Sequence, residues 1–334
     1  MLYIKVFMES KYMKILIIRL SSLGDIVLTE PITRALAKFY PQAEISYLVK
    51  PAFRDIVAFF PTQVTIIEWG NNFSSLLSLS KTKYDLLIDL HNKPNTALIR
   101  MFCQASTKIV YDKKHHLRHQ IVAHKTSQTI SSTLDLYFSA LKKLKLKPTS
   151  LQPLLIADDS AETLLQNAKL VLDEYILIFP GATSYTKRWQ IDSFSELIDL
   201  ISPKFQVVIA GGKNEMELAN YLINKCNSNI IDFTGKTKLP QLISLIAKAK
   251  AVIANDSGPA HLAAALQKPQ ITIFGATSPS LGFAPLNKKG IIISQNLSCS
   301  PCSLHGSNSC PKNHFNCMNQ ITPATIQKAL TKIL

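Results

Sequence analysis

Short runs of Ile, Leu and Val alternate with amphipathic stretches along the chain, the pattern of parallel sheets with helices on both faces. In the first half this predicts strands at Lys14–Arg19, Glu44–Val49, Val64–Trp69, Asp85–Leu90 and Lys108–Tyr111. Helices fall between them; Ile32, Leu36 and Phe39 have the i, i+4, i+7 spacing of a buried helical face. The periodicity breaks at "KKLKLKPTSLQP", residues 142–153, which reads as a linker, and restarts with strands at Tyr175–Phe179, Gln206–Ala210, Ile230–Phe233, Ala251–Ala254 and Gln270–Phe274. The pattern gives an α/β protein of two doubly wound domains, 13–150 and 151–334, with the final helix free to pack back on the first. Open sheets of this kind bind ligands beyond the C-terminal ends of their strands.

The chain has 334 residues, enough for two α/β domains, and 47% of them are hydrophobic, a composition that excludes wholesale disorder. No apolar run reaches the length of a membrane span, and the N-terminus lacks the apolar core of a signal peptide, so a cytoplasmic protein is expected. The first regular strand starts at Met13, which makes "MLYIKVFMESKY" an extension without an evident fold role. A net charge of +15 directs the surface toward anions, whether nucleic acid, an anionic membrane face or a phosphorylated substrate. The lysines are scattered and carry no nucleic-acid-binding signature.

The chemistry concentrates where strands end. Among the 11 glycines, Gly24, Gly181, Gly211, Gly212, Gly235, Gly258 and Gly275 lie at or near the end of an apolar run. In "FPGATSYTKRWQ", residues 179–190, small hydroxylated residues with Thr183, Ser184, Lys187 and Arg188 follow a buried strand. Hydroxyls, backbone N–H groups and a lysine in that position suit a diphosphate, although the spacing is not that of a P-loop. "VIANDSGPAHLAAAL", residues 252–266, delivers Asn255 and Asp256 to a strand end, with Ser257 placed to cap the helix that Gly258-Pro259 open, and His261 in its first turn. Glu215 in "GGKNEMEL" is suited to accept hydrogen bonds from ribose hydroxyls.

"ILIIRLSSLGDIVLTEP", "FPGATSYTKRWQ", "NDSGPAHLAAAL" and the late "CSPC…CP…CM", in this order over nearly all of 13–334, resemble glycosyltransferase family 9, the ADP-heptose:lipopolysaccharide heptosyltransferases. The resemblance implies the GT-B fold, with the acceptor on the N-terminal domain and the nucleotide sugar on the C-terminal domain, and an inverting transfer that needs no catalytic metal. It matches Asp25 to the general base, Thr183 and Lys187 to phosphate contacts, and Asp256, Ser257, Gly258 and His261 to the nucleotide-sugar turn. Glu215 matches a ribose contact, with Glu217 a competitor two residues on. A carboxylate at Asp25 would take the proton of an attacking hydroxyl, Ser22 and Gly24 would flank the acceptor, and Lys187 would offset charge on the leaving diphosphate.

On the acceptor side, His91 and Lys93 in "DLHNKPNTALIR" and the basic run "YDKKHHLRHQ", with Lys113, Lys114, His115, His116, Arg118 and His119, suit the phosphates and acidic sugars of a lipopolysaccharide inner core. That run is also the expected contact with the inner face of the inner membrane. The family pattern is departed from at Asn95-Thr96, where many members carry Arg-Ser or Arg-Thr. The partners implied are ADP-heptose, the core acceptor and an anionic membrane surface, with no nucleic acid. Alternatives left open are another nucleotide sugar or a protein acceptor, and a non-catalytic nucleotide- or nucleic-acid-binding protein. Cys103 and Cys226 read as isolated buried thiols. Cys299, Cys302, Cys310 and Cys317 form C-x2-C-x7-C-x6-C, compatible with a structural zinc or another thiophilic metal as well as with reduced thiols.

Overall fold

The computed structural model describes residues 13–144 and 150–334. The expected extension at residues 1–12 and, within the expected linker, residues 145–149 lie outside the described residues. The chain divides into two compact units, one of residues 1–115 and 132–156, the other of 116–131 and 157–334. The segment 116–131, which the sequence places in the first domain, thus belongs to the second.

The first unit carries a five-stranded parallel sheet of β1 (Lys14–Ile18), β2 (Glu44–Val49), β3 (Thr65–Glu68), β4 (Lys83–Asp89) and β5 (Gln104–Val110), in the order β3-β2-β1-β4-β5. In β1, Ile15 through Ile18 are wholly buried because helices cover both faces, which is why the strand reads as an unbroken apolar run. One core layer joins Leu16 and Ile18 to Leu48, Leu87, Leu76, Leu79 and Ile99. Of the expected helical face, Ile32 and Leu36 are buried, but Phe39 is 45% exposed at the last position of its helix, Glu30–Phe39, edge-on to Tyr40.

The second unit has a six-stranded parallel sheet of β6 (Tyr175–Phe179), β7 (Gln206–Ile209), β8 (Ile230–Asp232), β9 (Ala251–Asn255), β10 (Gln270–Phe274) and β11 (Gly290–Ser294), ordered β11-β10-β9-β6-β7-β8. The sequence reading missed β11, a half-buried edge strand. In the last helix, Pro323–Ile333, Ile326, Ala329 and Leu330 join the core of the second unit with Phe194, Leu197 and Ile273. Both sheets reverse their winding direction once, between β1 and β4 and between β6 and β9. Loops leaving the C-terminal ends of such strand pairs diverge and open a crevice.

Candidate active site

At the first reversal, β1 runs into Arg19, a buried side chain that donates from Nε to the Ser21 carbonyl at 2.7 Å and from Nη1 to the Leu90 carbonyl at 2.6 Å. Its Nη2 meets Asp25 Oδ2 at 2.5 Å. Burial works against the Arg19 charge, but Asp25 together with Tyr137 and Tyr111 outweighs it and the guanidinium pKa is raised. Ser22 donates to the same Asp25 oxygen from Oγ at 2.8 Å and from its N–H at 3.3 Å. Ser22 and Asp25 therefore occupy the N-cap and N3 positions of the short helix Leu23–Val27, the reciprocal arrangement that fixes a helix start. Gly24, expected in an open turn, is buried inside this helix.

β4 ends in the fully buried Asp89, whose Oδ1 accepts the N–H groups of His91 and Asn92 at 2.8 Å each while Oδ2 meets Arg100. This turn holds His91 in the interior and sets Lys93 at the start of the helix Pro94–Phe102. Burial first, then the positive charges of Arg19, Lys93 and Lys113, push the His91 pKa down to about 3 against the opposing pull of Asp25. The imidazole is thus neutral at physiological pH, and its Nδ1 is buried without a hydrogen-bond partner. Tyr137 Oη is a second such orphan; its ring lies 4.8 Å from Tyr111 and under the Arg19 guanidinium at 5.9 Å. Lys113 follows β5, and burial, Arg19 and Lys93 lower its pKa. The ends of β1, β4 and β5 therefore gather Arg19, Asp25, His91, Lys93 and Lys113. Two buried orphan polar atoms beside a paired carboxylate are groups that a bound hydroxylated ligand would satisfy.

The rest of the basic run departs from expectation. Lys114 is exposed and paired with Asp112 at 2.8 Å. Arg118, expected on the acceptor, is buried in the second unit, where Nε donates to the Leu281 carbonyl at 3.2 Å and the guanidinium stacks 4.2 Å from the Phe283 ring centroid. It is a packing residue. In Asn95-Thr96, Thr96 is buried and its hydroxyl donates to the Lys93 carbonyl at 3.0 Å.

At the second reversal the buried Asn255 ties two loops together. Its Oδ1 accepts the Trp189 N–H at 3.0 Å and its Nδ2 donates to the Pro180 carbonyl at 2.8 Å. Asp256, also buried, binds Lys187 Nζ at 2.8 Å and Thr277 Oγ1 at 2.7 Å through one oxygen. Ser257 stands at the N-cap position of the helix Gly258–Ala265, yet its hydroxyl turns back to the Asn255 carbonyl at 3.1 Å and makes no cap hydrogen bond. His261 is buried in the first turn. Thr183 is exposed, while the Ser184 hydroxyl donates to the His305 carbonyl at 3.1 Å.

Glu215 emerges from the loop after β7 and lies against both glycine turns: a Cβ at Gly181 would fall 1.8 Å from Glu215 Oε1, and one at Gly211 would fall 2.3 Å from Oε2. Oε2 accepts the Gly212 N–H at 2.8 Å. Glu217 is exposed on the following helix, so the geometry favours Glu215. A depression of about 730 Å³ lined by Glu174, Lys204, Gln206 and Lys250 lies at the N-terminal ends of the strands, the wrong end for a ligand in such a sheet.

The cysteine-bearing segment supports the loop after β6. Thr186 and Ser307 exchange hydrogen bonds, with the Thr186 N–H donating at 3.0 Å and the Ser307 N–H donating to Thr186 Oγ1 at 2.8 Å. Gly306, at φ +84°, comes so near that a Cβ would approach Ser184 Cβ to 2.6 Å. All six cysteines are free thiols. Burial raises the thiol pKa values of Cys302 and Cys317, the latter to about 11, with the neighbouring thiols adding to it. For Cys310, burial is outweighed by the N–H groups of Phe315, Lys312, His314 and Asn313, and its pKa is lowered. Among the described residues no group of three or more His, Cys, Asp or Glu side chains is arranged to hold a metal ion. Cys103 is buried as expected; Cys226 is only half-buried.

Sequence reasoning missed Arg19, Tyr137, Asn255 as a tie between loops, Thr277 and the 305–307 support. Arg19 carried a usable signal, a cation ending an apolar strand; the others depend on contacts distant in sequence.

Residues 74–312 match the family described as Glycosyltransferase family 9 (heptosyltransferase). The chain is 27% identical to lipooligosaccharide heptosyltransferase 2 of Campylobacter jejuni subsp. jejuni serotype O:6, over 96% of this chain and 99% of the relative. It is 31% identical to lipopolysaccharide heptosyltransferase 3 of Escherichia coli K12, over 76% of this chain and 80% of the relative. Among solved structures, E. coli ADP-heptose lps heptosyltransferase II is similar with a TM-score of 0.77 at 24% identity, covering 96% of this chain and 98% of that one, a likeness of fold.

Proposed function

The chain belongs to glycosyltransferase family 9, the heptosyltransferases, and on that premise we propose that it moves heptose from ADP-heptose to the inner core of a lipopolysaccharide or lipooligosaccharide, with inversion and without a catalytic metal. The observation that carries the reading is Asp25, a carboxylate held at the C-terminal end of β1 by Arg19 and Ser22, beside a neutral buried histidine.

In this mechanism the acceptor sits on the first unit. Its hydroxyl loses a proton to Asp25 as its oxygen forms the new bond to the anomeric carbon, and the bond from that carbon to the ADP oxygen breaks on the opposite face. Arg19 is a positioning residue that orients the carboxylate through their ion pair. Lys93 and Lys113 take the acceptor's phosphate or carboxylate groups. Lys114, exposed nearby, pairs with Asp112, and Arg118 packs on Phe283, so this reading assigns the acceptor's anionic groups to Lys93 and Lys113.

The donor sits on the second unit. Lys187, held by Asp256, neutralises charge on the departing diphosphate together with the N-terminus of the helix Gly258–Ala265, which is the role a divalent cation would otherwise fill. Thr183 and the loop after β6 contact the phosphates, Glu215 the ribose, and Ser257 and His261 shape the turn. The reading places the work on the cytoplasmic side of the inner membrane, where the protein is a peripheral component; among the described residues no helix is long and apolar enough to cross a membrane.

The test is a transfer assay with ADP-heptose and a heptose-deficient core acceptor, in the presence of EDTA, with the product linkage assigned by NMR. Transfer with the anomeric configuration opposite to that of the donor is expected. Retention of configuration, or loss of activity in EDTA restored by a divalent cation, overturns the mechanism; transfer from a different nucleotide sugar overturns the donor.

A further inference from the structure

Two neighbouring helices of the first unit, Phe73–Ser80 and Pro94–Phe102, turn apolar side chains to solvent. On the first, Phe73 is 64% exposed and Leu77 45%, an i, i+4 pair; on the second, Leu98 is 44%, Met101 77% and Phe102 41% exposed, an i, i+3, i+4 stripe. The core does not need these residues, because Leu76, Leu79, Thr96 and Ile99 fill the opposite faces of the same helices. A contiguous exposed stripe of this kind marks an interaction surface.

The charges around the stripes are one-sided. Between residues 73 and 110 the cations are Lys81, Lys83, Lys93, Arg100 and Lys108, and the only acids are Asp85 and Asp89. Asp89 is buried against Arg100 and Asp85 accepts the backbone N–H of Lys14, whereas the four lysines are exposed. Apolar side chains rimmed by lysines complement an anionic lipid surface, where the first enter the headgroup boundary and the second meet the phosphates. A second copy of the chain is a poor match, since its own net charge is +15.

We propose that these two helix faces dock the protein on an anionic phospholipid membrane. The inference rests on the reading that the acceptor is lipid-anchored, and it moves the membrane contact away from the basic run 113–119, whose charges are paired or buried at Lys114 and Arg118. The placement fits that acceptor. The helix Pro94–Phe102 begins three residues beyond His91 and, at 1.5 Å per residue, is only about 14 Å long. A saccharide emerging from the bilayer at this patch has that short distance to cover to Asp25 and His91.

The experiment is flotation of the full chain with vesicles of phosphatidylglycerol and phosphatidylethanolamine, and with phosphatidylcholine alone, at low and high salt. The parent protein should bind the anionic vesicles and release them as salt rises. The triple variant Leu98→Ser, Met101→Ser, Phe102→Ser should lose at least tenfold in vesicle affinity with an unchanged circular-dichroism melt. It should use a deacylated soluble acceptor as the parent does, but a vesicle-embedded acceptor far less. Lys81→Ser with Lys83→Ser and Lys108→Ser should weaken the salt-sensitive part of binding. A triple variant that binds vesicles as tightly as the parent overturns the proposal, as does one that changes only the oligomeric state in sedimentation, which would make the patch a contact between copies. Failure of the parent on both acceptors would overturn the functional reading instead, and leaves the vesicle result to decide the patch on its own.

Discussion

The two reversal points are built alike and charged oppositely. Each places an ion pair beyond the C-terminal ends of its central strands, Arg19–Asp25 in the first unit and Lys187–Asp256 in the second. In the first, the cation is the hidden partner, 7% exposed, and the carboxylate is 25% exposed; in the second, the carboxylate is 6% exposed and the cation 18%. Which partner is buried decides what each sheet offers to a ligand. The first presents a carboxylate backed by a guanidinium, the second a cation backed by a carboxylate. In the proposed mechanism the first would serve a nucleophile that must lose a proton and the second a leaving group that gathers negative charge.

The strongest way to break this contrast is Asp25→Asn, which keeps the shape and removes the base. Turnover should fall about a thousandfold while ADP affinity by calorimetry stays within about twofold. Activity close to that of the parent would remove Asp25 from the reaction. Lys187→Ala attacks the other pole and should lower kcat/KM for the donor by about tenfold to a hundredfold, with ADP binding weakened as well. An unaltered ADP affinity would show that Lys187 only partners Asp256.

Gly181→Ala sharpens the donor side, because the new methyl would displace the Glu215 carboxylate, a movable group, rather than backbone. ADP affinity should drop a few-fold, by about 1 kcal/mol, and adding Glu215→Ala should cost little more. Full additivity of the two changes would mean that the glycine matters for another reason.

A further test concerns acid stability. The folded His91 pKa of about 3 lies below its ordinary 6.5, so between those values the unfolded chain takes up a proton that the folded one refuses, and stability falls as pH drops through that window. Urea melts of His91→Asn should lose less stability than the parent between pH 7 and pH 5, by about 1–2 kcal/mol. An equal loss in both would show that His91 is not held neutral.

Much of the fold was legible because strands buried on both faces write unbroken apolar runs; β2, β6 and β10 have the bounds read from sequence. β11 escaped because an edge strand is buried on one side only, and its half-buried Ile291 and Ile293 follow two lysines. At the site, residues on short loops after strands were visible as polar islands, which is how Asp25, Lys187 and Asp256 were found. Their pairings were not visible. Nothing local joins Lys187 to Asp256, and the fate of Arg118 depends on Phe283, far along the chain. A charged residue in a basic run looks the same in sequence whether water or an aromatic ring receives it.

The route of the backbone between the units bears on how such enzymes can be recombined. Because residues 116–131 belong to the second unit, the chain passes from one to the other at three junctions, 115/116, 131/132 and 156/157. A hybrid that exchanges N-terminal halves between two family members at a single crossover near residue 150 would carry a foreign helix into the second unit, where Arg118 must find Leu281 and Phe283 and Ile130 must find the Ser280 carbonyl. The first unit is therefore encoded as two separate stretches of sequence, and if it carries the acceptor as proposed, a working graft has to move both while leaving the piece between them with its host.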